Sequence, residues 1–382
     1  MPSRSFRRLA LVVALAAAIL VPAGVAEGSL PLDLHTGSER AIPVSATGHH
    51  PHVRAVDGHA ITVRGWRHRH SRSHRHHRHH PPAQPTQPPP ITLPPVTPPV
   101  TPPVTPPVTP PATALFGAAV QAAPGTTKAQ AIADASATFG GLPVVREFFT
   151  GMPAPWSKIG ADVGDRPVVV SFKVNPQTVL SGVVDDQMRA WFASAPTDRP
   201  TFWTYIHEPE DNIAAGQFTA ADYRAAWAHL RALADSVHNG ELRATLILMC
   251  WSVNPQSGRN WKDYYPAGSI DLVAWDCYNS AAAKGAYLNP ASMLQRAVDA
   301  SASVGLPWGI AELGSKMAVG DDGSGRAAWL QRVGSYAASQ GATFVTYFDS
   351  TVGGDFRLLD PASQQSWRDL IVNGPAPWNP SS

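Results

Sequence analysis

A (β/α)8 barrel, in the α/β class, is what the sequence predicts for residues 113–375, on three observations. Eight short apolar runs follow one another. Helical patterns fill most of the gaps between them. The alternation occupies about 260 residues, close to the ~250 usual for such a barrel.

The runs are Leu115–Val120, Val144–Phe149, Val168–Lys173, Phe202–Ile206, Ala244–Ser252, Asp271–Tyr278, Trp308–Leu313 and Thr343–Phe348. Each is almost continuously apolar, as parallel strands covered on both faces must be. The clearest helical pattern runs from Thr219 to Gly240. Thr219 is the expected N-cap, Asp222 follows three residues later, and Tyr223, Ala226, Trp227, Leu230, Leu233, Ala234 and Val237 recur at helical spacing. Gly240 is the expected stop. Similar patterns cover Thr127–Phe139, Pro290–Val304, Gly325–Ser339 and Pro361–Val372, with Gly140, Gly305 and Gly341 closing three of them. A doubly wound open sheet is the alternative, but no glycine-rich phosphate loop follows the first run.

The N-terminal part has a different composition. Arg4, Arg7 and Arg8 precede the apolar run from Leu9 to Val21, and small residues stand at Gly24 and Ala26. This order reads as a secretory leader over residues 1–26, cleaved after Ala26. Its apolar run is shorter than the roughly 20 residues of a membrane span. A low-complexity His/Arg-rich region follows over residues 27–80, with 11 histidines between His49 and His80. Arginines interleave with those histidines and would repel a divalent ion, so a solvated cationic arm is favoured over a metal-binding tract. Residues 81–112 are a proline-rich linker ending in four Val-Thr-Pro-Pro units, Val96 to Pro111. Prolines this dense favour polyproline II and an extended spacer.

Charge divides along the chain. Residues 1–80 hold 11 of the 30 Lys and Arg but only 4 of the 28 Asp and Glu. A basic arm thus precedes a mildly acidic globule. The arm suits attachment to an anionic envelope or cell wall. The globule has no basic face with interleaved aromatics, which excludes nucleic acid as its partner. A secreted or cell-surface monomer is the expectation.

The fourth run ends in His207-Glu208-Pro209-Glu210-Asp211-Asn212, and the seventh carries a lone Glu312 within Ile310-Ala311-Glu312-Leu313-Gly314. In a barrel of this kind catalytic groups gather at the C-terminal strand ends. Strands four and seven stand on opposite sides of the mouth, so Glu208 and Glu312 face each other across it. Two carboxylates flanking a cleft suit glycoside hydrolysis. Asp276 and Tyr278 share one side of the sixth run. Arg146 and Glu147 end the second run, and Lys173 and Asn175 the third; one of each pair is expected to touch sugar hydroxyls. Glu210 and Asp211 read as loop charges. Trp251, Trp261 and Phe348 lie at or just beyond strand ends, where an aromatic face either stacks on sugar or belongs to the core. Cys250 and Cys277 end neighbouring runs, as a disulfide or as two buried thiols. No Ser-His-Asp arrangement and no metal-ligand spacing occurs in the globule, so neither cofactor nor metal is expected.

On the motifs His207-Glu208, Asp276-Cys277-Tyr278-Asn279 and Ile310-Ala311-Glu312-Leu313-Gly314, residues 113–375 resemble clan-A glycoside hydrolases. The likeness is to the mannanase-like family 26 type in particular. The resemblance implies a retaining mechanism with Glu208 as acid/base and Glu312 as nucleophile. It also implies that His207 takes the place held by asparagine in many other clan-A families, and that Tyr278 donates to the nucleophile. Family mannanases follow His-Glu with Met-Asn, where this chain has Pro209-Glu210-Asp211-Asn212. The substrate implied is a β-linked polysaccharide or oligosaccharide, mannan-like or a related plant or envelope glycan. The alternative is a carbohydrate-binding or envelope-attached barrel without catalysis.

Overall fold

The computed structural model describes residues 114–375. The leader, the His/Arg-rich region and the proline-rich linker expected over residues 1–112 lie outside the described residues. Eight parallel strands close on themselves in sequence order: β1 Leu115–Val120, β2 Val145–Phe149, β3 Val168–Phe172, β4 Thr201–Tyr205, β5 Leu242–Met249, β6 Leu272–Tyr278, β7 Trp308–Gly314 and β8 Phe344–Asp349. The predicted barrel is the observed fold. Pairing of β1 with β8, from Leu115 opposite Phe344 to Val120 opposite Asp349, removes the open edges.

The helices are α1 Lys128–Phe139, α2 Trp156–Val163, α3 Pro176–Leu180, α4 Asp185–Ala193, α5 Pro209–Ala214, α6 Ala220–Asp235, α7 Pro290–Ala302, α8 Ser324–Ser339 and α9 Pro361–Val372. The expected cap at Thr219 is present as a capping box: Thr219 Oγ1 accepts from Asp222 N while the Asp222 carboxylate accepts from Thr219 N. α6 stops at Asp235 rather than running to Gly240; a turn in which His238 takes a positive φ of 54° intervenes. Gly140 does close α1, at a φ of 75° that a side chain rarely adopts. Between β5 and β6 the connection is built of short 3-10 turns, Cys250–Val253, Pro255–Ser257 and Trp261–Asp263. The run expected to extend to Ser252 ends at Met249, where the chain turns.

Strand alternation divides the barrel into an outer and an inner face. Outward residues such as Phe172, Trp203, Tyr205, Leu246, Trp275 and Tyr347 pack against the helices. Inward residues Val144, Val169, Phe202, Ile247, Leu272, Ala274, Ala311 and Phe344 meet one another. The Phe202 and Phe344 rings, from strands on opposite sides, stand 4.7 Å apart, a contact only the interior allows. Two residues further along several strands, the same alternation places Ser171, Thr204, Asp276 and Thr346, all buried. The interior therefore changes from apolar to polar toward the C-terminal ends.

Two backbone irregularities shape that end. In β7, Trp308 and Ile310 face outward, so strict alternation would also turn Glu312 outward. Instead, Ile310 pairs opposite Trp275 and Glu312 opposite the very next residue, Asp276. Against β8, Ile310 pairs with Val345 and Leu313 with Tyr347. One extra residue is thus accommodated in β7, a bulge of the kind that re-aims a side chain. Ala311 and Glu312 both face the interior as a result. After β4, Ile206 and Glu208 take positive φ values of 45° and 49°. That conformation is costly for any residue with a Cβ and most so for β-branched Ile206.

Candidate active site

Glu312 is buried in the bulge and held from two sides. The Arg146 Nη2 donates to Oε1 at 3.2 Å, and the Tyr278 hydroxyl donates to Oε2 at 2.5 Å. Arg146 is itself wholly buried, with its guanidinium carbon 4.4 Å from the centre of the Phe148 ring. Arg146 therefore binds a carboxylate beneath the mouth, and its Nη1 has no partner among the described residues. Its neighbour Glu147 points outward to Lys128, 3.5 Å away, because adjacent strand residues face opposite sides.

Glu208 stands beyond the end of β4 and is itself the second of the two strained residues, with its N–H donating to Ile247 O at 3.0 Å. Among the described residues no side chain donates to its carboxyl. Burial, then the negative charges of Glu312 and Glu210, push its pKa up to about 8, against the opposing pull of Lys173 and Arg146. Glu312 is thus among the groups that act on the charge of Glu208. One glutamate is thus tied down by two donors, while the other is left without a donor and held toward the protonated form.

Three further groups surround them. His207 is buried with Nδ1 lacking a partner among the described residues, and its ring meets Phe148 edge-on at 5.4 Å. Burial, followed by Lys173 and Arg146, holds it well below the usual histidine range, so the ring is neutral. His207 does not donate to Glu312, whose donors are Arg146 and Tyr278. Asp276 stands opposite Glu312 in register, buried, with neither oxygen hydrogen-bonded among the described residues. Burial and then Glu312 raise its pKa well above the carboxylate range. Lys173 follows β3, with its N–H donating to Phe149 O and Gly151 O, each at 3.1 Å.

Glu210 is not a loop charge. It is buried at the start of α5, where Oε1 accepts from Met249 N at 2.9 Å and Ser252 Oγ at 2.7 Å. Burial raises its pKa to about 7. It braces the end of β5 beneath the mouth, and a short acidic stretch after a strand carries no signal for that role. Asp211 pairs with Arg259.

The aromatic candidates separate. Trp251 is 47% exposed beside the end of β5. Trp261 instead packs on Tyr265 and on Trp275, whose ring faces outward from β6, so it belongs to the outer layer. Phe348 is buried among Phe148, Tyr278 and Phe356, where it supports the Tyr278 ring. Cys250 and Cys277 form a disulfide with their Cα atoms 5.1 Å apart, locking the end of β5 to β6. A cavity of about 770 Å³ lined by Phe202, Leu242, Leu272 and Thr343 opens at the opposite, N-terminal face, away from these carboxyls.

No protein-family model matches the chain, and no curated protein matches it. Solved structures do match. A glucosidase from Croceicoccus marinus is 13% identical, with 67% of this chain and 66% of that one covered and a TM-score of 0.47. A family 26 β-mannanase from Bacteroides ovatus is 13% identical over 69% of this chain and 90% of that one, with a TM-score of 0.46. A modular endo-β-1,4-mannanase from Cellulomonas fimi is 15% identical over 68% and 70%, with a TM-score of 0.47. The barrel itself is established by the strand order and register of this chain.

Proposed function

We propose that this protein is an exported retaining glycoside hydrolase, of the type that family 26 represents, acting on a β-linked polysaccharide. One observation carries the reading: Glu208 and Glu312 belong to one electrostatic site but receive opposite treatment. A glycosidase needs one carboxylic acid to protonate the leaving oxygen and one carboxylate to attack the anomeric carbon. Glu208, without a donor and with its pKa pushed up to about 8, suits the first task. Glu312, accepting from Arg146 and Tyr278, suits the second.

Glu312 attacks the anomeric carbon while Glu208 gives its proton to the departing glycosidic oxygen. The bond from carbon to that oxygen breaks and a bond to Glu312 forms. Water, deprotonated by Glu208, then displaces Glu312 and restores both carboxyls. Trp251 offers an exposed ring on which a sugar unit of the chain stacks. The disulfide between Cys250 and Cys277 supports an oxidising destination outside the cytosol. Residues 27–112 hold the enzyme on an anionic envelope polymer.

The test is a panel of β-linked polysaccharides, with reducing ends measured for the wild type, Glu312→Ala and Glu208→Ala. Glu312→Ala is expected to lose all turnover. Glu208→Ala should lose activity on natural glycan, keep it on activated aryl glycosides, and be rescued by azide with retained anomeric configuration. Binding of a panel glycan without cleavage by the wild type would instead make the chain a carbohydrate-binding barrel. Envelope binding that survives truncation to residue 113 would overturn the role given to the arm.

A further inference from the structure

Among the described residues, the inner site holds one cation that no carboxylate contacts directly. Arg146 is committed to Glu312. Burial keeps Asp276 and Glu208 toward their neutral forms, and His207 is neutral as well. Glu210 is turned to the end of β5, and Asp211 is taken by Arg259. Lys173 is different. Alternation from Val169 and Ser171 brings its side chain inward. The groups that act on its charge are Glu208, Glu312, Arg146 and Asp276, all of the inner site. Among the described residues it makes no hydrogen bond or ion pair through its ammonium.

Its position is also fixed. β3 pairs with β4 up to Phe172 opposite Tyr205. Ile206 N donates to Phe172 O at 2.8 Å. Lys173 therefore emerges on the strand next to Glu208, with its own N–H tied to Phe149 and Gly151. A partly buried ammonium that no carboxylate contacts directly is costly, and burial lowers its pKa against the pull of Glu208 and Glu312. A bound monoanion at that point would offset the cost more fully than the hydroxyls of a neutral sugar.

We infer that Lys173 selects a glycan bearing one negative charge per sugar, a uronate carboxylate or a sulfate ester, by pairing with that anion beside Glu208. The inference rests on the glycosidase reading and names its substrate class. Lysine suits a point contact with either anion. A bidentate fork like that of arginine is not required.

The experiment uses the full chain and three matched probes: β-1,4-linked mannose oligomers, β-1,4-linked mannuronate oligomers and 6-O-sulfated mannose oligomers. For the wild type, kcat/KM should favour a charged probe over the neutral one by about 10- to 100-fold, the worth of a charge-assisted contact. Most of that preference should lie in KM. In Lys173→Gln the ratio should collapse to about one, and Lys173→Arg should restore part of it. The carboxylated and sulfated arms identify the anion. Equal losses on all three probes in Lys173→Gln would overturn the inference. So would an upward shift of the alkaline limb of the pH profile with the preference intact, which would make Lys173 a tuner of Glu208. A wild type that prefers the neutral oligomer would also overturn it. If the wild type cleaves none of the probes, the hydrolase reading fails on these chains. Calorimetric binding of the same three then decides: a charged preference lost in Lys173→Gln sustains the inference, and equal affinities reject it.

Discussion

Tyr278 donates its phenolic hydrogen to Oε2 of Glu312 across 2.5 Å, from one strand to the next. The two residues stand on β6 and β7, and the contact exists because the β7 bulge turns Glu312 inward to the side that Tyr278 occupies. A hydrogen bond to a charged acceptor is worth about 1.5–3 kcal/mol.

Tyr278→Phe should therefore lower kcat by about 10- to 150-fold, taking that energy as transition-state stabilisation. The same loss should follow from a less obvious change. Gly314, opposite Tyr278 in register, leaves room for the phenol ring: a Cβ there would stand 2.5 Å from Tyr278 Cε1. Gly314→Ala should displace the ring and reproduce the Tyr278→Phe kinetics. Wild-type rates in both variants would remove Tyr278 from the mechanism.

On the proposed mechanism the pH profile should fall on its alkaline side near pH 8, because that mechanism needs protonated Glu208 and its pKa is pushed up to about 8. Glu210 contributes to that elevation as a like charge. Glu210→Gln should move the alkaline limb of kcat/KM to lower pH, since removing a negative neighbour makes ionisation easier. A limb that stays in place or moves up would contradict the assignment.

The same elevation has a cost to stability. A carboxyl whose pKa rises from 4.5 to about 8 on folding favours the fold fully below pH 4.5. That contribution is lost as pH climbs through the folded value, because the unfolded chain releases its proton first. Glu208→Gln should thus be more stable than the wild type at pH 8.5, by a Tm increase of a few degrees at about 2–4 °C per kcal/mol. At pH 4 the two should match. Calorimetric scans at both values check this, and an equal gain at pH 4 would point to packing instead.

The Cys250–Cys277 bond spans a sequence separation of 27. Closing a loop of that length contributes about 3 kcal/mol by restricting the unfolded chain. Reduction, or Cys250→Ser with Cys277→Ser, should lower Tm accordingly. It should also raise KM for long glycans through the adjacent Trp251, while leaving small aryl glycosides less affected. An unchanged Tm would show that the strand pairing of β5 and β6 suffices alone.

Much of this was legible in the chain itself. The apolar runs located all eight strands to within about three residues at either end, since strands covered on both faces leave little else to read. Thr219 with Asp222 announced its helix, and Gly140 announced another's end. The short helices α2 to α5 were not anticipated: each has nine residues or fewer, too few for a periodic pattern to stand out. Trp261 and Trp251 looked alike because composition does not say which side of a wall a ring faces.

The sequence by itself determined the repeating alternation, and with it a closed barrel whose polar residues collect at the C-terminal ends. It also determined which residue types are available there: two glutamates, a tyrosine, an arginine and a lysine. Only the tertiary structure decided how they meet. Period-two alternation would have turned Glu312 away from the interior, and the bulge that reverses it is visible only in its register against both β6 and β8. Strained turns at Ile206 and Glu208 set the opposing carboxyl without donors, and no propensity announces them. The division into an anchored glutamate, one held toward its protonated form and a lysine without a direct partner among the described residues is a property of distances between strands far apart in the chain. Charges acquire such roles only when the closed barrel brings them together and removes the water between them.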